Sequence, residues 1–181
     1  MIRSLSGTKL STDDQNKLIR LKLKRRLLFY YYQASSFFYL LPAISIYLNY
    51  ENISKTLQDK FIPNFMLDVV YFQLIVQSFL SYMADVYEFC FKYIRFGFFN
   101  RFDVFSARLT FITSFWVMFN LLQSKFHSIT YFSGLSISGL SFLSERFVID
   151  RPTKTLWCVL HSMGWHTWLP VACTIVLLNQ L

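Results

Sequence analysis

Two histidines, in His161-Ser-Met-Gly-Trp-His166, are the residues of this sequence best suited to chemistry. Imidazole is the commonest zinc ligand. Ligands carried on one helical face stand three or four residues apart, whereas an offset of five points the rings about 140° apart on a regular helix. His161 and His166 would therefore share a metal only if a π-bulge at Gly164 realigned them. Without it, each ring is expected to hydrogen-bond to a neighbouring helix. Zinc at this pair stays an open alternative, and no other cofactor is implied. His127 has no companion in the sequence.

Ionisable residues inside apolar stretches are few: Asp68, Asp85, Asp103 and Arg108. Such groups are expensive in lipid and mark functional sites by default. Asp103 and Arg108 are five apart and so diverge on a helix. Arg108 is expected to form an intramembrane ion pair with Asp85 or to snorkel to the headgroups. Cys90, Cys158 and Cys173 lack the spacing of a zinc or redox motif and read as apolar filler. There is no glycine-rich phosphate loop.

The elements that must position these residues follow from composition. With 54% hydrophobic and 15% charged residues in 181, the chain holds more apolar surface than one small soluble core can hide. Apolar runs near the length of a spanning helix lie at 27–50, 65–84, 104–122 and 155–178, with a weaker one at 128–144. The expected fold is an all-α, polytopic transmembrane helix bundle of about five spans, made of a basic segment 1–26 and a bundle 27–181. Of 18 Lys and Arg residues, fourteen fall before span one or in alternate connections, and Lys55, Lys60 and Lys125 lie in the others. By the positive-inside rule the N-terminus faces the cytoplasm or the mitochondrial matrix.

Thr12-Asp-Asp-Gln15 has the spacing of a capping box. A helix from there carries Arg20, Lys22, Lys24, Arg25 and Arg26 among headgroups, where anionic phospholipid such as cardiolipin or phosphatidylserine would favour it. Pro42 is expected to bend span one. The aromatic and charged stretch Asp85–Asn100 reads as an interfacial connector. In span four, Gly134, Ser138 and Ser141 share one face, which predicts close helix packing.

Ser78-Phe-Leu-Ser-Tyr82-Met-Ala-Asp85, Asp103 at the opening of span three, and His161 to His166 with Pro170 beyond it resemble the motifs of the CREST superfamily of membrane proteins, which includes alkaline ceramidases, Per1-type and myomaker-like proteins. The resemblance implies a zinc-dependent lipid amidase or esterase with Ser78 and Asp85 as catalytic candidates. The sequence departs from the pattern in three ways. Tyr82 stands where the second-span zinc histidine would fall, the final histidine pair is stretched by one residue, and two spans are missing. A degenerate scaffold is implied more than a hydrolase.

The functional expectation is accordingly a non-catalytic accessory subunit of a membrane assembly, with other integral membrane proteins and lipid as partners and no nucleic acid. The alternatives are the CREST-type hydrolase and a transporter or receptor. The mitochondrial inner membrane is favoured slightly over the endoplasmic reticulum. Asn52-Ile-Ser54 is a glycosylation pattern that would act only in the latter.

Overall fold

The structure is a computed structural model that describes residues 30–91, 97–148 and 159–180. It is all-helical, with no strand among the described residues. The capping box, the basic residues Arg20 to Arg26, and the side chains of Cys90 and Cys158 lie outside what is described. A 3₁₀ turn at Ser36–Tyr39 leads into α1 (Leu40–Leu48), followed by α2 (Tyr50–Gln58) and α3 (Phe65–Tyr82). α3 continues without interruption into a π-helical segment, Met83–Phe91. Then come α4 (Phe98–Leu121), α5 (Lys125–Val148), a second π segment (Leu160–Trp168) and α6 (Leu169–Leu178), which continues it.

Pro42 sits in the first turn of α1, where its missing N–H is least costly. A 3₁₀ segment, Ser36–Tyr39, precedes it directly before α1. At the other end of the bundle, short polar side chains tie off chain termini. The Ser124 hydroxyl accepts from the His127 amide at 3.1 Å and so caps α5. The free carbonyls ending α4 take donors from elsewhere: Lys60 Nζ reaches Asn120 O, and Gln180 Nε2 reaches Leu121 O at 2.9 Å. Asp68, in the first turn of α3, accepts from the Tyr50 hydroxyl at 2.8 Å.

α3 packs on α4, α1 lies against α3 and α6, and α5 runs along the second π segment and α6. The core is aliphatic and aromatic, with Ile46, Ile53, Leu57, Leu67, Leu121 and Val176 fully buried. Cys173 is a free, buried thiol among them, in keeping with its reading as filler. Among the described residues, two helices rather than the five expected are long and apolar enough to cross a bilayer, Phe65–Tyr87 and Phe98–Leu121, each with a mean hydropathy of 1.3. Only 33% and 22% of their apolar windows are buried inside the protein. Phe72, Phe105, Ile112 and Leu140 instead face outward, as helices do when lipid is their solvent.

The face of small residues in α5 is the face that packs. A Cβ built on Gly134 would stand 2.4 Å from Ala172 Cβ, and one on Gly164 would stand 2.1 Å from Ser141 Cβ. Ser138 Oγ donates to Gly164 O at 2.9 Å across the same seam. The close approach allows a hydroxyl to reach a backbone carbonyl of the neighbouring helix.

Replacing Gly164 by Ala should therefore force α5 away from the second π segment, a cost of about 1–3 kcal/mol. A lowered midpoint of thermal unfolding in detergent is expected. Adding Ser141→Gly should restore most of it, because the obstructing atoms are the Ser141 side chain. An unchanged midpoint in Gly164→Ala would show that the seam is loose.

Candidate metal centre

Leu160–Trp168 is π-helical throughout. Hydrogen bonds that run from i to i+5 place residues five apart above one another. The same offset is visible in the side chains, since Thr167 Oγ1 donates to Ser162 O, five residues back, at 2.7 Å. His161 and His166 consequently lie on one face, with ring centroids 4.5 Å apart. The divergence expected on a regular helix does not occur.

Both rings meet Asp85. His161 Nε2 lies 3.2 Å and His166 Nε2 3.7 Å from the same carboxylate oxygen, Oδ2. All three donor atoms fall within 4.8 Å of one another. Ligands about 2.0–2.1 Å from a tetrahedral zinc stand about 3.4 Å apart, so the two measured separations bracket what such an ion requires. Two imidazoles and one carboxylate also form a recognised zinc donor set that leaves a coordination position open. The residues fit a divalent ion.

The expected pairing of Asp85 with Arg108 is not formed. Asp85 is 6% exposed and turned to the histidines. Arg108 is exposed on the far side of α4, because Asp103, five residues earlier, faces inward. Nor does Asp85 begin an interfacial connector, as its side chain would on a helix running out along the surface. The π segment Met83–Phe91 prolongs α3 and keeps Asp85 inside.

Around the three donors stands a second set of groups. Asp103 Oδ1 accepts from Gln77 Nε2 at 2.7 Å and from the Ser81 hydroxyl. Gln77 Nε2 also donates to Ser81 Oγ at 3.0 Å. Asp103 is thereby fixed within electrostatic range of Asp85 and His161. Tyr32, 1% exposed, sets its ring 6.0 Å from that of His161, and its hydroxyl faces Asp85. Tyr39 covers His166 at 5.5 Å.

Of the residues singled out by sequence, Asp85, Asp103, His161 and His166 come together at this centre. Ser78 is buried on α3, but Ser81 is the serine that reaches Asp103. Tyr82 packs on Phe37 with centroids 5.4 Å apart and is not among the donors. His127 is buried near the α4–α5 turn, away from the cluster. Gln77, Ser81 and Asp85 were overlooked as a set, although their spacing of four was a legible helical stripe. Nothing in the run Tyr30-Tyr31-Tyr32 marks Tyr32 out.

An apolar cavity of about 60 Å³ begins beside the centre, at Tyr39, Gln77 and Trp165. It follows α4 from Ala107 to Val117, and α6 closes it from the other side. At 1.5 Å per residue that stretch is about 15 Å long. No protein-family model, curated protein or solved structure matches the chain.

Protein purified without chelators should carry about one zinc per chain, measured by elemental analysis against protein concentration. Asp85→Ala, His161→Ala and His166→Ala should each bring the metal to background. Tyr82→Phe should leave it unchanged. Metal-free wild-type protein that also fails to bind added zinc would remove the centre.

Proposed function

We propose that the chain is a five-span membrane protein that hydrolyses an acyl amide or ester bond of a lipid, using zinc held by Asp85, His161 and His166. The observation that carries this reading is the convergence of those three donors within 4.8 Å of one another, with both histidines 3.2 and 3.7 Å from one Asp85 oxygen. The resemblance to the CREST superfamily supports it in a modified form. Asp85, one turn beyond Tyr82, fills the role of the absent histidine, and the stretched histidine pair is brought into line by the π segment.

Zinc bound there supplies a nucleophile at neutral pH and polarises a carbonyl. The chain's own groups do the rest. Asp103, oriented by Ser81 and Gln77, is placed to take a proton from the attacking water and return it to the leaving group. Tyr32, buried with its ring 6.0 Å from that of His161, walls the donors on one side. The apolar cavity beside Gln77 and Trp165 offers room for the substrate's chain. The outward-facing apolar side chains of α3, α4 and α5 are suited to the bilayer from which such a substrate would come.

The expectation of a non-catalytic accessory subunit rests on the lack of an intact catalytic constellation, short connections and apolar helix surfaces; the convergence of the two histidines on Asp85 favours the hydrolase over it. The charge asymmetry continues to favour an N-terminus on the cytoplasmic or matrix side. It does not choose between the endoplasmic reticulum and the mitochondrial inner membrane.

The test is hydrolysis of labelled fatty-acyl amides and esters by the full chain in lipid nanodiscs. Zinc-loaded protein should release fatty acid, a chelator should stop it, and zinc should restore it. Asp103→Asn should lower kcat by about 10²–10⁴ while zinc content stays at the wild-type level. Zinc-loaded protein that releases nothing, and migrates from native membranes in a large assembly, would establish the accessory subunit instead.

A further inference from the structure

The wall of the apolar cavity contains three polar atoms that the fold leaves unsatisfied. Gln77 Oε1, Thr110 Oγ1 and Ser114 Oγ are all buried without a hydrogen-bond partner, and all three residues line the cavity. Buried polar atoms in this state are uncommon, and each calls for a reason.

The reason is not local habit. Five helical hydroxyls elsewhere satisfy themselves on the carbonyl four residues back, Ser45 on Leu41, Thr56 on Asn52, Thr113 on Leu109, Ser128 on Ser124 and Thr174 on Pro170, whereas Ser36 and Ser162 are buried without a partner but do not line the cavity. That back-bonding is the ordinary resort of Ser and Thr in a helix. Thr110 and Ser114, four apart on one face of α4, forgo it. Gln77 is constrained differently. Its Nε2 serves Ser81 and Asp103, which fixes the amide so that Oε1 can only accept. The remaining lining is dominated by apolar side chains such as Ile46, Leu74, Val117, Leu169 and Leu177.

We infer that the cavity binds a single alkyl chain bearing a hydroxyl part-way along it, and that Thr110 and Ser114 read that hydroxyl. A substrate hydroxyl can donate to one of the two side chains and accept from the other. Thr110 lies seven residues and Ser114 eleven residues beyond Asp103, so the hydroxyl sits about 10–16 Å along the chain from the polar centre. Gln77 Oε1, nearest the centre, accepts from a donor close to the head of the substrate. The inference deepens the hydrolytic reading by naming its substrate class, and rests on that reading for where the scissile bond lies. The competing occupant is ordered water held by the three polar atoms, for which a cavity of this size has room.

Oleyl alcohol and ricinoleyl alcohol differ by one mid-chain hydroxyl, are uncharged and cannot be hydrolysed. An equimolar mixture equilibrated with the detergent-purified full chain, followed by washing and analysis of the bound lipid, reads the preference directly. Ricinoleyl alcohol should be enriched about five- to tenfold over oleyl alcohol, the range of one additional hydrogen bond relieving buried groups. In Thr110→Val and in the Thr110→Val, Ser114→Ala double variant the enrichment should fall toward one, with total bound alcohol maintained. The single, nearly isosteric change keeps the test valid if the double variant does not fold. Equal occupancy in the wild type, enrichment that survives both variants, or no binding of either alcohol overturns the inference. Because binding needs no turnover, an enrichment without zinc or hydrolysis would sustain the chain site while removing the catalytic reading.

Discussion

A helix whose hydrogen bonds run from i to i+5 is wider than an α-helix and brings residues five apart into line, and every feature of the metal centre depends on that change of register. Two such segments meet at one end of the bundle. One aligns His161 with His166. The other prolongs α3 so that Asp85 remains inside. Regular α-helices through the same residues would point one imidazole toward lipid and leave the carboxylate without a partner. Gly164, between the two histidines, permits the close approach of α5, and Ser138 then occupies its carbonyl. The small-residue seam and the π register therefore support each other.

Two carboxylates beside an apolar core would be prohibitive if left bare. Each is met by a different means. Asp103 is satisfied by a neutral amide and a hydroxyl, which fixes its position. Asp85 is faced by two imidazoles and a phenol. The division separates a carboxylate shaped to be a ligand from one shaped to exchange a proton, although both come from residues that look alike in the sequence.

Much of the helical framework was legible because it follows from hydrophobic length and from small residues at fixed spacing. Gly134, Ser138 and Ser141 pointed to a packing face, and that face packs. The site was less legible, for two physical reasons. Helical-wheel geometry assumes 3.6 residues per turn, and that assumption fails over the very residues that carry the chemistry. Opposite charges in neighbouring spans also invite pairing, yet Arg108 shares a helix with an inward-facing Asp103 five residues away and is thereby turned out. Gln77, Ser81 and Asp85 did announce themselves at intervals of four, but only a structure shows that Asp103 on another helix completes the set.

The choice of a carboxylate as third donor has a consequence for a site enclosed by helices. Three imidazoles around a divalent ion would leave a charge of about +2 in a medium that penalises it, whereas two imidazoles and Asp85 leave about +1. The smaller charge lessens the need for a further counter-ion, in keeping with Arg108 facing outward and with the apolar lining that begins immediately beyond Gln77. It also means that the two aspartates are not interchangeable. Loss of Asp85 removes both a donor and a balancing charge, while loss of the Asp103 carboxyl leaves the three donors intact. On the proposed reading, binding of an ion would fall to one carboxylate and proton transfer to the other, with the cavity beginning beside Gln77, which holds the second.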